Sequence, residues 1–142
     1  MHTDPATERF ELTISVAPGD IDMLDHVNNI VYLRWVQDAA VAHWNAAATE
    51  EEKEAVYWVG VRHEIDYLRS AQRGDTIIAR TWVGGTVKHY FERHTEILRA
   101  SDGTVLARAK TLWCPIDQKS GRPTRASESI HKRFSVSTND NA

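Results

Sequence analysis

From Phe10 to Val16 every second residue is apolar, with Phe10, Leu12, Ile14 and Val16 separated by Glu11, Thr13 and Ser15. A period of two belongs to a strand with one buried face. Pro18-Gly19 closes that strand and opens a loop. The period then lengthens. Between Asn28 and Ala48, Leu33, Val36, Ala40 and Trp44 recur at spacings of three and four, flanked by Tyr32, Ala39 and His43. Arg34, Asp38 and Asn45 leave only a thin polar stripe. The spacing predicts a helix, and apolar residues around most of its circumference predict that other structure encloses it. On that reading Val36→Asp and Ala40→Glu should each prevent folding, by burying an unpaired charge. Thr49-Glu50-Glu51-Glu52 has the spacing of a capping box, so a short second helix is expected near residues 50–55.

Four more strands follow in the pattern. Tyr57–Leu68 alternates, Gly74-Asp75 marks a turn, and Thr76–Val83 alternates again. Gly84-Gly85 reads as a second turn before a long strand, Thr86–Arg99, and Ser101-Asp102-Gly103 as a third turn before Thr104–Cys114. Pro115 is expected to end that ladder, since proline has no N–H to donate. Gln118–Pro123 reads as loop and Ala126–Phe134 as a short helix. Residues 1–9 are polar and expected to fray, and the Ser/Thr/Asn tail after Ser135 to be disordered. Strand, long helix, then four strands joined by tight turns predicts an α+β layer arrangement with the helix on one face of an antiparallel sheet. Neither an internal repeat nor a second domain is visible, so one domain is expected over residues 1–142, ordered from about 10 to 134.

Composition changes this picture little, but it removes partners. The 142 residues are 42% hydrophobic and 26% charged, as in ordinary folded domains. A net charge of −3 without a basic block makes no electrostatic case for nucleic acid. The lone cysteine, Cys114, has no intrachain partner for a disulfide. Met1-His2-Thr3-Asp4-Pro5 lacks the basic and apolar regions of a signal peptide, and no apolar run approaches the ~20 residues of a membrane span. The expectation is a cytoplasmic protein without membrane insertion.

Chemistry concentrates between Gly19 and Trp35. Asp20, Asp22, Asp25, His26, Asn28 and Asn29 are gathered just upstream of the helix, where a backbone presents free N–H groups. Titratable side chains facing a ready-made anion site are the parts of an acyl-transfer or hydrolysis centre. Elsewhere the signals are bland. His89 and His94 fall on opposite strand faces and make a poor metal pair, His63 reads as a satisfied buried histidine, and Cys114 as a buried inert thiol. Gly-x-Ser-x-Gly, phosphate-loop, dinucleotide and His-Glu-x-x-His motifs are absent, which removes serine hydrolases, nucleotide enzymes and zincins. No metal and no organic cofactor are expected.

The pattern Asp22-x-x-x-His26-Val27-Asn28-Asn29-x-x-Tyr32 resembles the active-site loop and central helix of hotdog-fold acyl thioesterases. The resembling branch includes 4-hydroxybenzoyl-CoA thioesterase and long-chain acyl-CoA thioesterases. The likeness extends along nearly the whole chain, through the Gly74-Asp75 turn to Asp117 and Ser120-Gly121-Arg122-Pro123. It implies a hotdog fold, five antiparallel strands around one long helix, and hydrolysis of an acyl-CoA or acyl-carrier-protein thioester to free acid and thiol. By the same resemblance Asp22 is the catalytic carboxylate, as nucleophile or general base. His26 then orients it, moves a proton or polarises the carbonyl, unless it only hydrogen-bonds the loop. The backbone N–H groups of Asn29 and Ile30 would hold the oxyanion, with Asn28 as site wall and Tyr32, one turn into the helix, as core or site wall. Asn28 and Asn29 are also, independently, residues that favour helix starts.

Some plant acyl-carrier-protein thioesterases carry Asp-x-Asn-x-His here; this chain has Leu24 at the amide position. The resemblance further implies a homodimer or homotetramer, with sheets paired edge to edge and each site built from two subunits. The acyl chain would lie in an apolar tunnel between helix and strands, and Arg62, Arg69, Arg73, Arg80 and Lys88 are candidates for coenzyme A phosphates. Two other readings stand beside hydrolysis: a hotdog dehydratase-type lyase and a non-catalytic acyl-binding module. Isosteric amides at Asp20, Asp22 and Asp25 are expected to change stability little.

Overall fold

The elements run β1 (Phe10–Ser15), a 3-10 turn (Pro18–Asp20), α1 (Asn29–Ala47), α2 (Glu50–Ala55), β2 (Val56–Tyr67), β3 (Thr76–Val87), β4 (Tyr90–Arg99), β5 (Val105–Asp117) and α3 (Glu128–Arg133). This computed structural model describes residues 9–134, so the expectations for residues 1–8 and for the tail from Ser135 lie outside the described residues. The five strands form one antiparallel sheet in the order β1-β3-β4-β5-β2. α1 packs on it through Val31, Tyr32, Trp35, Val36 and Ala39, all buried against Ile77 and Ala79 of β3, Ile97 of β4 and Leu106 and Ala107 of β5. Helix and sheet together are the hotdog arrangement.

Local chemistry sets the helix ends. The Asn28 side chain caps α1, accepting from the Ile30 N–H at 3.2 Å. At α2 both halves of the capping box form: Thr49 Oγ1 accepts the Glu52 N–H at 3.1 Å, and Glu52 Oε1 accepts the Thr49 N–H at 2.8 Å. Glu52 does more than cap. It also accepts from Arg133 Nε and Ser129 Oγ, each at 2.8 Å, tying α2 to α3. Burial raises its pKa, yet the bonds from Thr49, Ser129 and Arg133 outweigh this and hold the carboxyl below its ordinary value.

Two boundaries differ from the sequence reading. Gly84-Gly85 is not a turn: both residues lie within β3, at a bulge between Val83 and Gly85. The chain reverses instead at Lys88 and His89, with Lys88 at φ 58°. A Cβ at position 84 would meet His94 Nε2 at 2.7 Å, so a larger residue there would have to displace that ring. Pro115 does not end β5, which runs on to Asp117 paired with β2. β4 pairs no further than Trp113, so on that flank proline has no ladder to break.

Candidate active site

The loop before α1 folds into a small hairpin, bridged at Ile21 and Val27. Asp22 sits at its neck. Its N–H donates to the His26 carbonyl at 2.8 Å, and its Oδ1 accepts the N–H groups of Leu24 at 2.9 Å and His26 at 3.3 Å. Oδ2 has no hydrogen bond among the described residues. One oxygen therefore fixes the carboxylate while the other stays available. Asp25 adopts φ 62°, which aspartate tolerates better than most residues, and its carboxylate meets Arg73 Nη2 at 3.0 Å. The loop is held to the rest of the fold by Val27 N–H to Ala71 O at 3.0 Å and by a bridge between His26 and Gln72.

The three acids separate by environment. Asp20 is 4% exposed, accepts the Ala17 N–H at 2.9 Å and pairs with Arg34 Nη2 at 2.9 Å. It is a structural carboxylate, so the expectation of unchanged stability for all three amide variants does not hold at this position. Asp22 and Asp25 carry no such buried ion pair.

Asp22, His26, Asn28 and Asn29 come together at the opening of α1. The His26 imidazole is exposed and makes no hydrogen bond among the described residues, Asp22 included. Asn29 N–H has no acceptor there, whereas Ile30 N–H is already taken by the Asn28 cap. Around them Met23, Leu24 and Ile30 are 99%, 75% and 73% exposed, leaving the site open on one side.

Of its two expected roles, Tyr32 takes the one in the core. It is 2% exposed in the core, edge-on to Trp35 and Tyr67, and its oxygen accepts the buried Ala71 N–H at 2.7 Å. Burial raises the phenol's pKa, against the lowering effect of the Ala71 bond. Tyr32→Phe should therefore cost about 1–3 kcal/mol of stability, the penalty for orphaning a buried N–H. Urea unfolding measures it; an unchanged midpoint would show that this bond contributes nothing.

Of the candidate phosphate contacts, Arg62 pairs with Glu64, Arg73 with Asp25 and Arg80 with Glu11 and Glu96. Arg69 and Lys88 have no carboxylate partner among the described residues. His63 Nδ1 lies 3.0 Å from Thr111 Oγ1, and burial lowers its pKa. Cys114 is buried, which pushes its thiol up. Among the described residues no three His, Cys, Asp or Glu side chains converge as metal ligands would. No helix among them is long and apolar enough to cross a membrane.

A cavity of about 160 Å³ lies between the second half of α1 and the sheet. Sequence reasoning missed the charged group in its wall, Arg93 of β4, and that group's partner, His43 of α1. The one available signal was the period-two set Phe91, Arg93, Thr95 and Ile97, which puts an arginine on an inward face.

Residues 16–134 match the profile of the thioesterase-like superfamily. A chloroplastic acyl-[acyl-carrier-protein] hydrolase from Cuphea viscosissima is 29% identical over 82 residues, 58% of this chain and 20% of that protein. The chain thus spans about a fifth of the length of the curated relatives it matches. Two solved structures share the fold. A 1,4-dihydroxy-2-naphthoyl-CoA thioesterase from Synechocystis superposes with a TM-score of 0.77 at 18% identity, covering 89% of this chain and 96% of that one. A thioesterase from Thermus thermophilus, complexed with coenzyme A and Zn, gives a TM-score of 0.74 at 24% identity, covering 87% and 95%.

Proposed function

This chain belongs to the thioesterase-like superfamily, and from that premise we propose that it hydrolyses an acyl-CoA or acyl-carrier-protein thioester to free acid and thiol. The observation that carries the reading is Asp22, fixed through Oδ1 with Oδ2 unengaged, beside the unengaged N–H of Asn29 at the start of α1. A carboxylate so held attacks the thioester carbonyl or takes a proton from the attacking water. As negative charge develops on the carbonyl oxygen, the Asn29 N–H and the positive end of the helix stabilise it. Ile30 N–H joins only by sharing itself with the Asn28 cap. His26, exposed and unbonded, is free to meet the substrate rather than to orient Asp22. Arg69 lies two residues from Ala71, which anchors the loop, and has no carboxylate partner among the described residues, which leaves it a candidate for a coenzyme A phosphate. The sheet and its helix act as one catalytic domain, and the cytoplasm is its site of action.

Thiol release from a panel of acyl-CoAs tests this reading. Hydrolysis of at least one member is expected. Failure on every member by a folded sample would favour the non-catalytic acyl-binding module.

The working unit in this reading is a homodimer or homotetramer. β2 is an edge strand, and on it Tyr57, Val59, Val61 and Tyr67 are 39–49% exposed. A long apolar edge with unpaired backbone groups invites a second sheet edge, and a second copy would also cover Met23, Leu24 and Ile30. Light scattering is expected to give at least twice the chain mass of 16.1 kDa. A catalytically active monomer at micromolar concentration would refute this part.

A further inference from the structure

Arg93 is buried to 7% exposure in the middle of the fold. Its Nη1 donates to His43 Nδ1 at 2.9 Å and to Thr81 Oγ1 at 3.2 Å. Neither partner is an anion: burial and the Arg93 charge lower the His43 pKa to about 3, so the imidazole is neutral at physiological pH. Burial lowers the guanidinium itself only to about 10, so it keeps its charge. Among the described residues it makes no salt bridge. A buried cation without a counter-ion is costly, and proteins ordinarily pair one.

That cation borders the cavity beside α1, whose other walls include Ala40, Trp44, Trp58, Phe91 and Trp113 and no carboxylate. Two of these residues add the same kind of vacancy. The indole N–H groups of Trp58 and Trp113 are buried and have no acceptor among the described residues. Native interiors rarely leave such donors unmet. The walls therefore supply aromatic surface and donors, and lack an anionic acceptor. Size narrows the occupant further, since an apolar cavity of ~150 Å³ holds a benzene ring, against about 160 Å³ here.

We propose that this cavity recognises a ring-sized ligand bearing a carboxylate, which pairs with Arg93. A guanidinium meets a carboxylate through parallel charge-assisted bonds, so the pair is strong and directional. A plain alkyl group in the same space leaves the cation as unpaired as the empty cavity does, and sites built to bond a polar group discriminate strongly against analogues that lack it.

Calorimetry on the whole chain with three probes tests the recognition without any turnover. Benzoate is expected to bind saturably, with benzyl alcohol and acetate at least tenfold weaker, because the first lacks the charge and the second the ring. Arg93→Met should weaken benzoate at least tenfold. Should that variant fail to fold, Ala40→Glu replaces it: a carboxylate on the cavity wall should fold and abolish benzoate binding. Benzoate binding no tighter than benzyl alcohol, or unchanged in either folded variant, overturns the proposal.

Discussion

Asp22→Asn is expected to lower turnover by at least ~10²-fold, the lower end of what a general base contributes. The reason lies in the division of labour between its oxygens. Oδ1 accepts from the Leu24 and His26 N–H groups, and an amide oxygen can go on accepting both. What the substitution removes is the basic and nucleophilic character of Oδ2. Folding should survive while chemistry does not. Asp25→Asn should cost less than about tenfold, since its pair with Arg73 is more than half exposed on both sides and such pairs are worth ~1 kcal/mol or less. Asp20→Asn should spare the chemistry but lower stability by about 1–3 kcal/mol, because its bonds from Ala17 N–H and Arg34 end on a buried carboxylate. Kinetics on the three purified variants, with circular-dichroism melts alongside, distinguish these outcomes. A folded Asp22→Asn enzyme with near-full activity would falsify the carboxylate mechanism.

Val36→Asp should leave the chain largely unfolded at 25 °C. Val36 is 1% exposed, within the cluster that α1 shares with β3, β4 and β5. An uncompensated buried charge costs about 3–5 kcal/mol, and the lost apolar burial adds about 1.5 kcal/mol or more. Against a typical total stability of about 5–15 kcal/mol, that is most of the margin of a modest domain. Far-ultraviolet circular dichroism and denaturant titration measure it, and a cooperative melt near the wild-type temperature would show that this face is not buried. Ala40→Glu belongs to another class. Ala40 is buried too, but it borders the cavity that contains Arg93. The sequence-based expectation that it prevents folding gives way to one in which the new carboxylate finds a cation.

The parts that local periodicity encodes were legible without coordinates. The alternation from Phe10, the three-and-four spacing through Val36 and Trp44, and the capping box at Thr49 each describe contacts between near neighbours in the chain. The compact loop before α1 was legible for the same reason: Asp22, His26 and Asn28 bond one another's backbone or the adjacent helix. What escaped depends on distant residues. Gly84-Gly85 looks like a turn from its own composition, and only the pairing of β3 with β4 shows it to be a bulge. Pro115 looks like a strand end until the reach of β4 is known. Tyr32 takes its role from Ala71, 39 positions away. The Arg93–His43 contact joins residues 50 apart, each ordinary in its own segment.

The Glu52 carboxylate that joins α2 to α3 also steadies what lies beyond α3. A helix of six residues has almost no stability of its own. α3 stays formed because Ser129 and Arg133 are bonded to Glu52, and because Ile130 and Phe134 are buried. Phe134, which follows α3, is also part of the cavity wall and stacks on Trp44. That wall is therefore held by the Glu52 bonds as well as by its own packing. Releasing α3 locally would enlarge the chamber while leaving every strand pairing in place. The group the chamber admits would then depend on the Glu52 bonds as well as on the volume at rest.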